Sequence, residues 1–296
     1  GYEKCLNLEH YYRKDLPQSE LYTWQDELAA QNAISYLKQR KKTDRPFFLA
    51  VGFGCTHREY PRVPEGYEAD YVQVPKALPN LPEIRKDMAG MQIAVETVDR
   101  LCGEIIKALK ETGEYEETVI LFTTDHGLPF PMMKCNLYDD GIGVAFLLRY
   151  PGIPEKHCVK DTLLSQVDVF PTLCDILKLE KPVWLQGESF YPVIKGEQDE
   201  VREAVYAEIN YHVAYEPVRC VRTKKYKYIV RWDNGYDKTP PTHMDDSLSK
   251  EAFHENGYFE KKLAKEELYD LMLDPQEREN LAEEVEHQAV KEEMDK

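Results

Sequence analysis

The sequence predicts an α/β core followed by a smaller α+β unit, and three observations carry that expectation. The run Thr118-Val119-Ile120-Leu121-Phe122-Thr123-Thr124-Asp125-His126-Gly127 reads as a short, fully buried strand that stops on ligand-type residues. The segments around it alternate helix, strand, helix, strand, the order of a layered α/β core. Beyond Gly187 to Gly196 the pattern changes to short alternating runs, the mark of antiparallel strands.

Bulk composition sets the outer bounds. A chain of 296 residues with 42% hydrophobic and 31% charged residues has the balance of a globular protein with a substantial core. The net charge of −16, with no Lys/Arg-rich stripe to offset it, argues against a nucleic-acid partner. Apolar runs are too short to span a membrane. The start, Gly1-Tyr2-Glu3-Lys4, is neither an initiator Met nor a signal peptide, so the chain reads as a piece of something longer. Seven cysteines, Cys5 to Cys220, form no CxxC pair and leave the compartment open. Oligomeric state is equally open.

Taken in order, residues 1–22 are polar and irregular, with Tyr11, Tyr12, Pro17 and Tyr22. Thr23 with Asp26 and Glu27 reads as a helix start, and Leu28, Ala29, Ile34 and Leu37 carry the helix to the basic run Lys38 to Lys42. Pro46 introduces Phe47 to Phe53, read as a buried strand, which ends on Gly54-Cys55-Thr56-His57-Arg58. Residues 61–82, with Pro61, Pro64, Pro75, Pro79 and Pro82, read as a long loop. Ile84, Met88, Met91, Val95, Val98, Cys102, Ile105 and Leu109 then recur at helical spacing, and Gly113 ends that helix. Gly143 to Tyr150 reads as a strand, and Ser165 to Leu177 as a helix. In the second unit Val205 to Ile209, Arg219 to Thr223 and Lys227 to Arg231 read as strands, with Glu267 to Leu271 a further strand or turn. Asp237 to Lys262 reads as a polar surface excursion, and a charged helix from about Asn280 closes the chain. The expected division is 1–195 for the core and 196–296 for the smaller unit.

Three polar sites follow apolar elements: His57-Arg58, Asp125-His126 and Lys134. Sites at the ends of buried strands are where open α/β sheets collect ligands. Asp125 and His126 offer a hard oxygen and an imidazole nitrogen to a divalent cation, but two ligands make an incomplete site. His57 and Lys134 are suited to neutralise an anionic group or to protonate a leaving oxygen. Each has a plainer alternative: Asp125 as a turn cap beside an exposed His126, His57 as a satisfied half-buried histidine, Lys134 as a solvated surface lysine. Spacing alone points to metal-assisted hydrolysis of an anionic ester.

The strings Thr123-Thr124-Asp125-His126-Gly127, Lys134 to Ile142, Pro46 to Val51, Val167 to Leu173 and Glu267 to Leu281 together resemble the sulfatase family, in the family's order. Gly127 to Pro131 and Pro217 to Arg219 are most similar to its heparan N-sulfatase (sulfamidase) branch. The resemblance implies an alkaline-phosphatase-like α/β fold with a layered sheet, helices on both faces, and a small C-terminal subdomain on an antiparallel sheet. It implies that Asp125 and His126 ligate a calcium ion, that Lys134 binds a sulfate oxygen, and that His57 contacts sulfate near the leaving oxygen. Arg58, His212, Arg219 and Arg222 are the implied substrate-recognition candidates, with a sulfated carbohydrate or other sulfate ester as the partner. Gly143 and Ala145 depart from the family's usual Arg and Pro.

The family nucleophile is a formylglycine made from Cys or Ser in a Cys/Ser-x-Pro-x-Arg motif, and no cysteine or serine here stands in one. The resemblance therefore implies the part of a sulfatase that follows the nucleophile, inactive by itself. The alternatives are a phosphonate or phosphate ester hydrolase of the same superfamily, and a non-catalytic protein that binds sulfated glycans.

Overall fold

The structure, a computed structural model, describes residues 13–40, 45–153, 157–232, 235 and 237–296. Tyr11 and Tyr12 of the polar start, and Lys41 and Lys42 of the basic run, lie outside the described residues. The chain is mixed α/β and divides into two compact units, residues 1–118 with 245–252, and residues 119–244 with 253–296.

The first unit is built on two helices. α1 (Gln18–Gln39) begins five residues before the expected start, with Pro17 at its N-cap, where a fixed φ favours helix entry. Thr23 and Asp26 do not cap it, because their side chains face another segment. Asp26 is fully buried and accepts hydrogen bonds from the backbone N–H groups of Gly54 and Cys55, both at 2.7 Å. The Thr23 hydroxyl lies 3.7 Å from the Cys55 sulfur. α2 (Pro82–Glu111) follows most of the expected period and buries Ile84, Met88, Met91, Val98, Leu101 and Leu109, but Val95, expected on the same face, is 46% exposed. Phe47 to Phe53 departs from expectation, since it joins no ladder. Its residues alternate between half-buried and exposed, with Phe48 76% exposed, so one face is covered and the other is not.

The second unit holds two sheets. β1 (Ile120–Thr123) pairs antiparallel with β2 (Phe146–Arg149), with Ile120 opposite Arg149 and Thr123 opposite Phe146. Neither strand is fully buried, contrary to the expectation for the Asp125 strand: β1 is half-buried and Leu147 of β2 is 67% exposed. Between them lies the short α3 (Asp139–Ile142). α4 (Val169–Leu177) and α5 (Tyr191–Lys195) follow. The fully buried Asp168 organises this stretch by accepting from the N–H groups of Ser165 and Glu188, both at 2.8 Å, while pairing with Arg202. That arrangement explains why an Asp begins the Val-Phe-Pro-Thr-Leu run.

β3 (Ala204–Tyr211), β4 (Tyr215–Thr223), β5 (Tyr226–Arg231) and β6 (Glu266–Asp270) form a four-stranded antiparallel sheet in sequential order. Alternation along β5 sends Ile229 and Tyr228 to opposite faces. On one face Val218, Cys220, Ile229 and Tyr269 pack with Leu137, Tyr138 and Ile142. On the other, Tyr228 and Leu268 pack with Ala282, Val290 and Met294, the last two from α7 (Gln288–Met294). The sheet is therefore covered on both faces. Asp237 to Lys262 is not a surface excursion. It contains α6 (Leu248–Glu255) and buries His243, Met244, Ala252, Phe253 and Phe259.

In the run Glu267 to Leu281, Asp270, Asp274, Glu277 and Asn280 each have a structural job. Asp270 Oδ1 accepts from the N–H groups of Met272 and Leu273, and Asn280 Oδ1 from those of Leu268 and Ala282. Asp274 Oδ2 accepts from the N–H groups of Arg278 and Glu279. Glu277 is buried and reaches the fully buried Lys227, whose Nζ lies 2.9 Å from Glu277 Oε1 and 2.5 Å from Asp139 Oδ1. Lys227 also donates to the Leu137 carbonyl at 3.0 Å, and Glu277 Oε2 accepts from the Asp139 N–H at 2.6 Å.

Removing one partner of a buried ion cluster strands the others, at a cost of about 3–5 kcal/mol. Lys227→Met is expected to lower unfolding free energy by about that amount in urea titration. A second outcome concerns acid. Burial pushes the Asp139 carboxyl up, but hydrogen bonds from Arg222 and the charge of Lys227 outweigh it and hold it below the usual carboxylate range. A depressed folded pKa contributes stability that is present above roughly pH 4 and is lost as pH falls through the folded value. Stability measured against pH should drop on acidification below that point, and Asp139→Asn should flatten the drop.

Candidate active site

β1 ends at Thr123, and the chain turns through Asp125-His126-Gly127. The Asp125 carboxylate is almost fully exposed, and its Oδ1 accepts from the His126 N–H at 3.1 Å. His126 Nδ1 lies 2.7 Å from the Gly127 carbonyl. A carbonyl only accepts, so Nδ1 carries the proton and Nε2 presents its lone pair. That nitrogen stands 3.9 Å from Asp125 Oδ1. The two donors thus lie on one side of the turn and suit adjacent positions around one cation. They supply part of the six to eight ligands that calcium takes.

Gly127 allows the next segment to close on this turn. Its N–H donates to the Gly141 carbonyl at 2.9 Å, and a Cβ built on it would lie 1.9 Å from the Asp140 carbonyl oxygen. A Cβ on Gly141 would meet the Met133 and Asn136 carbonyls, both at 2.4 Å. Two glycines therefore let the backbone of 133–141 lie directly against the Asp-His-Gly turn. Lys134 is on that segment, half-buried, with its N–H bonded to the Leu128 carbonyl at 3.0 Å. Gly143, one of the family departures, sits 2.7 Å (from an ideal Cβ) below the Asp139 carbonyl, so a small residue suits that spot.

His57 belongs to the first unit. It is exposed, with its ring 5.7 Å from that of Tyr22 and its Nδ1 2.7 Å from the Arg58 carbonyl. The same tautomer argument puts the proton on Nδ1 and the lone pair on Nε2. Its turn is set from behind by Asp26, as above, and by Gly54, where a Cβ would meet the Tyr22 ring at 2.3 Å. Burial pushes the Asp26 carboxyl up, opposed by its two backbone hydrogen bonds, and pushes the neighbouring Cys55 thiol up to about 12. Cys55 is thus a neutral packing group at physiological pH.

Arg58 is buried and makes two parallel hydrogen bonds to Asp87, at 2.5 and 2.9 Å, while its guanidinium stacks 4.5 Å from the Tyr60 ring centroid. Asp87 also accepts from the Ser249 hydroxyl at 2.5 Å. Arg222 is similarly engaged, with Asp139 at 3.0 and 3.3 Å. Arg219 is more open, paired with Glu208 at 2.7 Å and Asn210 at 2.8 Å. His212, in the β3–β4 turn, is exposed, and its ring centroid lies 6.1 Å from that of His243. Asp26, Asp87, Asp139, Lys227, Glu277, Cys135 and His243 were not expected from sequence. Only Cys135 carried a local signal, its place next to Lys134. A groove beside α4, lined by Pro171, Asp175, Lys181 and Ser189 among others, contains none of the expected site residues.

This combination of folded elements and strand-end ligands matches known proteins. The sulfatase family model matches residues 2–179, and the model described as N-sulphoglucosamine sulphohydrolase, C-terminal, matches residues 129–255. The chain belongs to the sulfatase family. It is 28% identical over 231 residues to an ulvan-active sulfatase of Formosa agariphila, covering 73% of this chain and 38% of that protein. It is 27% identical over 291 residues to the human N-sulphoglucosamine sulphohydrolase, covering 81% of this chain and 57% of that one. The crystal structure of a phosphonate monoester hydrolase of Agrobacterium radiobacter superposes with a TM-score of 0.67 at 22% identity, covering 93% of this chain and 59% of that one. The fold is thus the alkaline-phosphatase-like α/β fold, and the chain spans about 38% and 57% of the length of the two curated relatives. No helix among the described residues is long and apolar enough to cross a membrane.

The glycine-mediated contact is testable on its own. Gly127→Ala should destabilise by about 1–3 kcal/mol through overpacking. Gly103→Ala, inside α2 where a Cβ meets nothing within 4 Å, should be neutral or stabilising by up to about 1 kcal/mol. Paired thermal unfolding curves check the contrast.

Proposed function

We propose that this chain forms part of a hydrolase of sulfuric esters or sulfamates acting on a sulfated glycan or a sulfated small molecule. The observation that carries the proposal is the Asp125-His126 turn, with the histidine tautomer set for ligation and the Lys134 segment locked against it through Gly127 and Gly141. Family membership supports it. So do the names of relatives that act on ulvan or on N-sulphoglucosamine.

In this reading Asp125 and His126 hold calcium as two of its ligands, completed by donors not assigned to this chain. Bound calcium supplies charge neutralisation on the sulfate oxygens. Lys134 adds a point positive charge to a sulfate oxygen as charge builds during sulfur–oxygen or sulfur–nitrogen cleavage. His57, with Nδ1–H anchored on the Arg58 carbonyl, first takes a proton on Nε2 and then, as the imidazolium, gives that proton to the departing oxygen or nitrogen and returns to the neutral ring. His212 and Arg219 contact the sugar. Arg58 and Arg222, expected at the substrate, are assigned positioning roles because both guanidinium groups are engaged with Asp87 and Asp139. The family's formylglycine nucleophile is assigned to no residue of this chain. The division into a core to residue 195 and a C-terminal subdomain from residue 196 belongs to the same proposal.

Likeness of fold to a phosphonate monoester hydrolase favours one second reading, phosphonate ester hydrolysis on the same scaffold. The deciding experiment offers the whole protein, with calcium, an N-sulfated glucosamine, O-sulfated ulvan oligosaccharides and a phenyl phosphonate ester. Sulfate release at least about 100-fold reduced by Asp125→Asn or His57→Ala is expected, the scale of losing one acid–base or electrostatic group. Preferential turnover of the phosphonate ester would transfer the assignment to the second reading. Tight glycan binding with no turnover of any substrate would make the protein a binder.

A further inference from the structure

Cys135, His212 and His243 come together in the second unit, with one ligand atom from each lying within 4.8 Å of the others. They come from three separate stretches: the segment of Lys134, the β3–β4 turn, and a single 3₁₀ turn at Pro241–His243. Their burial is graded, with His243 only 4% exposed, Cys135 half-buried and His212 exposed. A cluster graded in this way offers its exposed member to solvent and keeps His243 inside.

His243 gives the cluster its meaning. A buried imidazole needs partners for its ring nitrogens, because a bare nitrogen keeps its full desolvation penalty. Among the described residues neither His243 nitrogen makes a hydrogen bond. Its Nε2 does face the Glu216 carboxylate, 3.1 Å from Oε2, although the pair is not aligned as a hydrogen bond. Glu216 is itself buried, with Arg231 Nε 3.9 Å from its other oxygen. A carboxylate beside the imidazole of a histidine that also meets a thiol and a second imidazole resembles the outer-shell pattern of histidines that ligate zinc.

We propose that Cys135, His212 and His243 form a binding site for a soft divalent transition metal, Zn²⁺ by preference, with Glu216 as the outer-shell partner of His243. The donor set decides the class of ion. One thiolate and two imidazoles match zinc, which takes three protein ligands and keeps a fourth position for water. The same set is poor for calcium, which takes oxygen. Binding releases the thiol proton to solvent and needs no redox partner. The ligand atoms must close by about an ångström to reach the separations of a tetrahedral zinc site. Because Cys135 follows Lys134 directly, the ion would tie the Lys134 segment to the sheet. This inference does not rest on the sulfatase reading, and where zinc occupies His212 it replaces the sugar contact given to that residue above.

The test uses the full chain, stripped of metal with a chelator and kept reduced. Titration with Zn²⁺ against a chromophoric chelator should show one equivalent bound. Co²⁺ in its place should give a thiolate-to-metal charge-transfer band and the visible spectrum of a four-coordinate ion. Cys135→Ser should abolish the band, and His212→Gln, at an exposed position that the fold tolerates, should weaken Zn²⁺ at least about tenfold. Glu216→Gln should weaken it by about 10–100-fold, as outer-shell partners do. Absence of a charge-transfer band in the unaltered chain would overturn the proposal. So would zinc affinity unchanged in the Cys135→Ser, His212→Gln double variant. Circular dichroism of each variant separates loss of binding from loss of fold.

Discussion

The second unit depends on one buried cation. Lys227 has no exposed surface, yet it stands second in β5 with two carboxylates and a carbonyl around its ammonium group. An isolated ammonium there would be forbidden by its desolvation cost, so its neighbours are obligatory rather than helpful. Each of them carries a different piece of chain to the same point. Asp139 and Leu137 bring the segment that follows Lys134, and Glu277 brings the turn after β6. Arg222 of β4 then completes the charge balance on Asp139. Ionic geometry thereby positions the loop that apolar packing alone, through Leu137 and Ile142 on the sheet face, would hold less specifically.

The carboxylates of this cluster respond to burial in opposite senses. Two positive groups keep Asp139 ionised below the ordinary range. Glu277 is pushed up by burial, only partly offset by Lys227. A raised carboxylate contributes stability below its unfolded pKa that is lost as pH rises through the folded value, the reverse of Asp139. The first unit uses the same device with backbone donors in place of cations. Asp26 holds the Gly54-Cys55 turn from the interior of α1, and Asp87 holds Arg58 from the first turns of α2. In each unit, taken by itself, candidate residues stand next to buried acids.

Much of the architecture is legible where periodicity is strong. α2 and the strands β3 to β6 follow from the spacing of their apolar residues, and Asp125, His126 and Lys134 stand out as polar residues after apolar ones. Other segments are misread for identifiable reasons. Thr23 and Asp26 look like helix-capping residues, but their side chains serve a turn about 30 positions away. Asp237 to Lys262 looks solvated because its charges outnumber its apolar side chains, yet Met244, Phe253 and Phe259 are buried. Phe47 to Phe53 has strand composition, and composition does not say whether a neighbouring strand is available to pair with it. The supporting acids were invisible because local pattern says nothing about pairing across distances such as the 162 positions between Asp87 and Ser249.

The bond between Asp139 and Glu277 spans 138 positions. During synthesis the segment bearing Lys134 leaves the ribosome long before the residue that fixes it, and in the interval its only durable partners are local. Contacts of such long sequence separation close late and slowly. The ionic clasp on this loop therefore waits for Glu277, whereas its backbone bonds to the Gly127 turn need only local chain. The shape of this loop is thus written in two distant places of the chain, and neither is sufficient alone.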